Sequence, residues 1–207
     1  MAVTSAQMKE IERLANEGGL SYYQMMKNAG TRGFGVIRKT YPDAESFLIF
    51  IGKGNNGGDG CVAARLAAQG GFRVVLVPVA GTPVTEDALK NFRLLEDLPV
   101  IILSPNDLPL LNPAPDTMII DAIYGTGFRG ELRPDGRRAC DFINASGLRV
   151  AAFDVPSGIN CDTAEAAEGA VKATITIAFH ENKPVHEDPA AVQYCGEVFT
   201  ADIGIRL

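Results

Sequence analysis

Five consecutive apolar residues at 47–51 begin a series of short apolar runs that alternate with helical segments. The series reads SFLIFIG, CVAARLAAQGG, FRVVLVPVA, TEDALKNFRLLEDL and VIIL, which is a β-α-β-α-β order. An apolar run without alternation is typical of a strand covered on both faces, as in a parallel sheet. The same strand-helix-strand order is predicted for TMIIDAI, a helix around 137–145 and LRVAAFDV. Two more strands are expected at 174–179 and 197–203. We predict a Rossmann-like, doubly wound α/β fold with a mostly parallel sheet and helices on both faces.

Two helix-start signatures of the Ser/Thr-x-x-Gln kind precede the first strand, at 4–7 and 21–24. In the first of these helices, apolar residues recur at the spacing of one buried stripe, namely Met8, Ile11, Leu14 and Ala15. We therefore expect an N-terminal helical extension that covers part of the sheet.

Composition limits the class of protein. A chain of 207 residues with 46% apolar content can bury one core, so we expect a single domain over 1–207. A net charge of -6 without runs of like charge does not favour a nucleic-acid partner. No signal-like start and no membrane-length apolar run is seen, which favours a cytoplasmic protein. Four dispersed cysteines are expected to be free thiols, and two histidines without zinc spacing are expected at the surface.

Three polar segments follow predicted strands: GKGNNGGDG at 52–60, DAIYGTGFRG at 121–130 and DVPSG at 154–158. Ligands of doubly wound sheets bind beyond the carboxyl ends of the strands. The three segments are therefore expected to meet in one crevice.

The first segment matches G-x-G-x-x-G through Gly52, Gly54 and Gly57. It lacks the acidic residue expected about 20 positions later in dinucleotide dehydrogenases, and it lacks the P-loop frame. These absences disfavour an ordinary nicotinamide oxidoreductase. Glycines would let backbone amides approach a phosphate, whereas Asp59 would repel one. A nearby cation, or an aspartate turned toward sugar hydroxyls or the helix start, would resolve this conflict.

Taken together, NNGGDG with CVAARLAAQG, IIDAIYGTGFRGELR and AFDVPSGINCD resemble the NAD(P)H-hydrate epimerase family. The resemblance runs from MMKNAG at 25–30 to FTADIGI at 199–205. It implies interconversion of the R and S forms of NADH or NADPH hydrated at C6 of the nicotinamide ring. It also implies coupling to an S-specific NAD(P)H-hydrate dehydratase, fused or separate, and allows a homodimer. The resemblance leaves open whether the chain is a stand-alone epimerase or one part of such a fusion.

The resemblance also implies site residues. A potassium ion is expected at Asn56, Asp121 and Ser157, whose oxygens suit a hard cation. The substrate is expected to contact two segments and one strand-end carboxylate: Asn55, Asn56, Gly57, Gly58, Asp59, Gly125, Thr126, Gly127, Phe128, Arg129, Gly130, Glu131 and Asp154.

Asp154 is the candidate catalytic residue because it ends a strand and precedes a rigid Val-Pro-Ser-Gly turn. Epimerisation at C6 proceeds either through an iminium ion or through ring opening, and both routes move a proton at the hydroxyl oxygen. A carboxyl group can carry that proton. The alternatives are a capping carboxylate at Asp154 and an Asx-turn at Asp121.

Three positions depart from the family pattern: Lys27, where an acid is usual, Thr174, where an acid is usual, and Val185, where glycine is usual. The last two place one edge of the site in doubt. A different function also stays open, because proteins of this fold act as non-catalytic binding or dimerisation modules. Retention of Asp59, Asp121 and Asp154 favours the enzyme.

Overall fold

The structure, a computed structural model, describes residues 2–206. Its strands are β1 (Ser46–Ile51), β2 (Arg73–Pro78), β3 (Val100–Ile102), β4 (Thr117–Ala122), β5 (Arg149–Phe153), β6 (Ile175–Phe179) and β7 (Glu197–Ala201). They form one seven-stranded sheet in the order β3-β2-β1-β4-β5-β6-β7, and every neighbouring pair is parallel. The predicted mostly parallel sheet is confirmed.

The helices are α1 (Ser5–Glu17), α2 (Tyr22–Thr40), α3 (Asn55–Gln69), α4 (Glu86–Arg93), α5 (Pro134–Ala145), α6 (Pro184–Glu187) and α7 (Val192–Cys195). Two 3₁₀ turns lie at Pro105–Leu110 and Pro189–Ala191. One face of the sheet packs with Phe47, Ile49 and Ile51 toward helices α1 to α4, and the other packs with Leu48 and Phe50 toward α5. Helices on both faces explain why β1 is buried along its whole length, as predicted.

The N-terminal helices begin where the sequence indicates. Thr4 and Gln7 form a reciprocal capping box, and the Ser21 hydroxyl accepts a hydrogen bond from the Gln24 amide. Of the predicted apolar stripe, Met8 and Ala15 are buried and Ile11 is partly buried. The prediction that Leu14 belongs to the buried stripe is wrong, since 40% of its surface is exposed.

Helix α2 approaches the sheet unusually closely. A Cβ at Gly33 would lie 2.7 Å from Cζ of Phe153, and one at Gly30 would lie 2.5 Å from the Asp59 carbonyl oxygen. Only glycine allows these contacts. Helix α2 thus fixes the ring of Phe153, the last residue of β5, and the start of α3.

All four cysteines are free and buried, as predicted. Burial raises the pKa of Cys161 and of Cys195 to about 11, which disfavours a thiolate nucleophile at either position. Within residues 2–206, no helix has the length and apolar character needed to cross a membrane.

Candidate active site

The three polar segments meet at the carboxyl edge of β1, β4 and β5, which are neighbours in the sheet. The Asn56 amide nitrogen donates to the Phe153 carbonyl over 3.2 Å, which joins the first segment to the third. The Ser157 hydroxyl accepts from the Tyr124 amide over 2.9 Å, which joins the third to the second. The predicted meeting of the three segments at one edge of the sheet is confirmed by these contacts.

Residues 55–59 form the start of helix α3 and not the open loop suggested by their glycines. The first amide N–H groups of a helix have no acceptor within it, so after the N-cap Gly54 those of residues 55–57 are available to an anion. Gly57 and Gly58 are buried, and a Cβ at Gly58 would lie 2.4 Å from Sδ of Met26. These glycines therefore serve packing as well as any ligand.

Asp121 is fully buried and holds the turn after β5. Its Oδ1 accepts from the Ser157 hydroxyl at 2.6 Å and from the Ile123 amide at 3.2 Å, and its Oδ2 accepts from the Ser157 amide at 2.8 Å. Burial raises the pKa of Asp121 to about 6, although these hydrogen bonds lower it. The bond to Ile123 is the Asx-turn considered as an alternative, but the contacts to Ser157 extend beyond it.

The side-chain oxygen of Asn56 is buried without a hydrogen bond to the described residues. Nδ2 of the same side chain is held by Phe153. An unsatisfied buried acceptor calls for an explanation such as a bound ion. Asp121 likewise has no cationic side chain paired with it in the described part of the chain. The oxygen of Asn56 and the carboxylate of Asp121 thus fit a hard cation.

Asp154 forms a buried ion pair with Lys183. Lys183 Nζ donates to Asp154 Oδ1 over 2.5 Å and to the Phe179 carbonyl over 2.7 Å. Only 1% of the Lys183 side chain and 15% of the Asp154 side chain are exposed. Oδ2 of Asp154 has no hydrogen bond within residues 2–206 and lies 3.5 Å from where a Cβ of Gly125 would be. One carboxylate oxygen is thus held and the other faces the crevice.

The backbone of Asp154 is strained. Its φ is 64°, and the Val155 amide donates to the Phe153 carbonyl over 2.8 Å, the pattern of a γ-turn with a left-handed central residue. Such a conformation costs on the order of 1–3 kcal/mol and persists only where surrounding contacts hold it. The strain places the carboxylate at the end of β5 and points to a functional position.

Two more carboxylates surround this ion pair. Burial raises the pKa of Asp59 well above its usual range, and the charges of Asp154 and Glu12 add to the effect, while Lys183 opposes it. Burial, followed by the charge of Asp154, also raises the pKa of Glu12 on α1. Asp59 is therefore the carboxyl group that favours its protonated form, beside an Asp154 that is paired with an ammonium. Two carboxyl groups in such different environments are suited to acid and base roles.

The loop at 125–131, which includes the end of the second segment, has no regular secondary structure. Phe128 packs on Tyr124 with ring centroids 5.2 Å apart. Arg129 donates to Asp162 over 2.6 Å and to the Ser5 hydroxyl over 2.8 Å, which ties the loop to the start of α1. Its guanidinium is thus engaged by protein, and the exposed Gly127, Gly130 and Glu131 remain open to a ligand.

Sequence reasoning missed Lys183 and misplaced His186. The sequence patterns do not single out Lys183, and they predict His186 at the surface. The structure buries Lys183, and the His186 ring contacts the backbone of Asp154 at 2.8 Å. The signal was available, because both residues shortly follow β6 at the same sheet edge as the three recognised segments.

The departures from the family pattern lie in different places. Thr174 precedes β6 at the amino end of that strand, away from the edge where the three segments meet. The expectation that the missing acid at this position affects the site is therefore wrong. Val185 is buried, and its amide donates to the Cys161 carbonyl over 3.0 Å. Lys27 places its ammonium 5.7 Å from the ring centroid of Tyr23 on α2.

Comparison with known proteins adds to this geometry. A NAD(P)H-hydrate epimerase of Nitrosopumilus maritimus is 36% identical over 210 residues, covering 99% of this chain and 96% of that protein. The protein of the same name from Pirellula staleyi is 36% identical over 205 residues, covering 93% and 89%. The bifunctional NAD(P)H-hydrate repair enzyme Nnr of Coxiella burnetii is 37% identical over 202 residues. That match covers 96% of this chain but 40% of the relative, so this chain spans about two fifths of the bifunctional protein.

The crystal structure of the yeast protein ynu0 superimposes with a TM-score of 0.78 at 24% identity, covering 90% of this chain and 83% of that one. This similarity supports the fold. The family model described as YjeF-related protein N-terminus matches residues 22–185. The chain therefore belongs to the YjeF-related N-terminal family, which is that of the NAD(P)H-hydrate epimerases.

Proposed function

We propose that this protein is an isomerase that interconverts the R and S forms of hydrated NADH and NADPH. The observation that carries the proposal is the Asp154 carboxylate, held by Lys183 through one oxygen and open to the crevice through the other. Relatives of nearly the same length bear the name of this activity. The positive φ of Asp154, at the edge where the three segments meet, supports a functional role for this residue.

The substrate would lie across the carboxyl edge of the sheet. The free amides at 55–57 suit its pyrophosphate, and the loop at 125–131 would cover it from the other side. The hydrated nicotinamide ring would then lie beside Asp154 and Asp59. Arg129 would support the loop through Asp162 and leave phosphate binding to backbone amides.

Either chemical route uses the same two carboxyl groups. In the iminium route, protonated Asp59 gives its proton to the C6 hydroxyl, the C6–O bond breaks, and water leaves as the ring nitrogen forms a double bond to C6. Water then adds to the other face and Asp154 accepts its proton. In the ring-opening route, Asp154 takes the hydroxyl proton, the C6–N bond breaks to give an aldehyde, and Asp59 protonates the nitrogen. The nitrogen then attacks the other face of the aldehyde, the C6–N bond re-forms, Asp59 takes back the nitrogen proton and Asp154 returns its proton to the oxygen.

The test is to mix purified R-hydrate with this protein and a dehydratase that acts only on the S form, and to follow recovery of the reduced cofactor. We expect recovery well above the spontaneous exchange of the carbinolamine. Recovery at the spontaneous rate would contradict the proposed activity.

We also propose that Asn56, Asp121 and Ser157 bind potassium. The unsatisfied oxygen of Asn56 and the buried carboxylate of Asp121 support this set. The Ser157 hydroxyl donates to Asp121 and accepts from the Tyr124 amide, which leaves one lone pair for the ion. When bound, the ion would supply positive charge that offsets the carboxylates near a pyrophosphate.

Potassium binding predicts a specific salt effect. We expect the midpoint of thermal unfolding to rise in potassium chloride relative to choline chloride at equal ionic strength, because the ion binds only the folded protein. Asn56→Ala should abolish the difference between the two salts. Equal midpoints in the two salts for the parent protein, or an undiminished difference in the variant, would count against the site.

Gly125→Ala tests the crevice. The added methyl would lie 3.4 Å from Asn56 Cβ and 3.5 Å from Asp154 Oδ2, which are ordinary contacts that the folded protein tolerates. The methyl would nevertheless occupy the space in front of the free carboxylate oxygen. We expect NADP⁺ affinity to fall by about tenfold or more in calorimetry while thermal unfolding is unchanged. Gly35→Ala on the exposed side of α2 is the matched control, and parental affinity in Gly125→Ala would place the ligand elsewhere.

We further propose that residues 1–207 act as one epimerase unit in the cytoplasm, coupled to an NAD(P)H-hydrate dehydratase. The support is that bifunctional relatives carry a match to this chain within a longer protein.

We propose a homodimer as the assembly of this protein. Three exposed apolar side chains at and after the edge strand β3 are candidate contacts, namely Ile101, Ile102 and Leu110. Analytical ultracentrifugation should show a sedimentation coefficient that rises with protein concentration, and a constant monomer value would contradict the dimer.

A further inference from the structure

The His186 ring bridges the two residues of the Asp154–Lys183 ion pair. Its Nδ1 accepts from the Lys183 backbone amide over 3.0 Å, and its Nε2 lies 2.8 Å from the Asp154 carbonyl oxygen. An amide N–H can only donate and a carbonyl oxygen can only accept. The ring must therefore be neutral, with its proton on Nε2, where it donates to Asp154.

The hydrogen bond from His186 is made to the residue whose backbone has a positive φ, Asp154. The Asp154 amide still pairs with the Ile177 carbonyl over 2.9 Å, but the left-handed turn removes its own carbonyl from the sheet ladder. Within residues 2–206, His186 supplies the hydrogen bond that this carbonyl receives. The contact thus satisfies the backbone in the conformation that directs the carboxylate into the crevice.

We propose that His186 is a positioning residue for the epimerase reaction: its neutral imidazole holds the strained Asp154 peptide so that the free carboxylate oxygen faces the substrate. His186 itself does not reach the crevice side of the carboxylate, since Lys183 occupies Oδ1 and Oδ2 faces Gly125. The inference rests on the proposed function, because the reaction it concerns is that epimerisation.

The electrostatic surroundings agree with a neutral ring. Burial and, to a smaller extent, the Lys183 charge lower the pKa of His186 to about 4, against the opposing effect of the Asp154 and Glu187 charges. The ring therefore remains uncharged in the folded protein at any pH well above 4. Activity measured between pH 5 and 8 should show no inflection caused by His186.

Two variants separate positioning from local structure. His186→Asn retains an acceptor at the δ position for the Lys183 amide, but its side chain is too short to reach the Asp154 carbonyl. His186→Gln supplies an amide N–H at the ε position, which can reach that carbonyl and cannot titrate. His180→Asn is the matched control, because His180 has a left-handed φ of 65° that asparagine tolerates and its ring makes no hydrogen bond to the described residues.

In the coupled assay we expect His186→Asn to lower kcat about tenfold with little change in KM, as loss of one hydrogen bond predicts. His186→Gln should recover most of the parental kcat, and His180→Asn should resemble the parent. Parental kcat in His186→Asn, or equal impairment in His186→Asn and His186→Gln, would overturn the inference. An inactive parent protein would instead refute the proposed function, and the positioning role would fall with it.

A second measurement does not depend on activity. Long-range proton–nitrogen NMR of the histidine rings, assigned by loss of signals in His186→Gln, should show a protonated Nε2 and an unprotonated Nδ1 at pH 7. An imidazolium or the opposite tautomer would contradict the bridge. A parent that epimerises and shows the expected tautomer, with impaired His186→Asn and near-parental His186→Gln, would support the role.

Discussion

Asp154→Asn should lower the rate of R and S exchange by about 10²–10⁴-fold, the range typical of losing a general acid or base. The amide keeps the shape of the side chain but cannot accept the proton during either route. The measurement is the coupled assay with the spontaneous exchange subtracted. Exchange at the parental rate in Asp154→Asn would assign the carboxylate a structural role and make Asp59 the next residue to test.

A stability control is needed because Asp154→Asn leaves the Lys183 ammonium buried without its carboxylate. Asp154→Asn combined with Lys183→Met removes both charges of the pair. We expect the double variant to recover the parental midpoint of thermal unfolding more closely than either single variant does. It should remain inactive, which would show that the lost proton transfer, and not unfolding, causes the loss of activity.

Lys183→Met alone should lower the free energy of unfolding by about 3–5 kcal/mol, the usual cost of leaving one partner of a buried ion pair uncompensated. The side chain is 1% exposed, so water cannot replace the ammonium beside Asp154. The lost hydrogen bond to the Phe179 carbonyl adds to the effect. Urea unfolding followed by circular dichroism would measure the change.

Arg206→Met is the comparison for that experiment. Arg206 pairs with Asp202 in a bridge of similar length, but 72% and 56% of these two side chains are exposed. Exposed pairs contribute little, so this variant should unfold almost like the parent. Similar losses in Lys183→Met and Arg206→Met would mean that burial does not set the strength of the Asp154–Lys183 pair.

The sequence predicts the fold well because its signals are local. Non-alternating apolar runs indicate buried parallel strands, and polar residues at strand ends must gather at one edge of such a sheet. Asn56, Asp121, Asp154 and Ser157 are brought together for this reason. Their roles in binding and catalysis stay predictions.

The remaining features depend on contacts that local patterns do not describe. Lys183 reaches Asp154 only because the chain turns back after β6, and Glu12 reaches the site from a helix that precedes the whole sheet. The helical start at 55–59 was missed because several glycines there weaken helix propensity. Packing of Gly58 against Met26 overrides that weakness in the folded protein.

The close approach of α2 to Phe153 makes the position of the Asp154 carboxylate, the proposed catalytic group, dependent on a helix that no substrate needs to touch. Any side chain larger than hydrogen at Gly33 would displace the Phe153 ring, and Phe153 is joined by a peptide bond to Asp154. Random mutagenesis should therefore recover inactive clones at positions 30 and 33 as well as in the strand-end loops. An engineer who grafts those loops onto another Rossmann-like scaffold would have to transplant α2 with them.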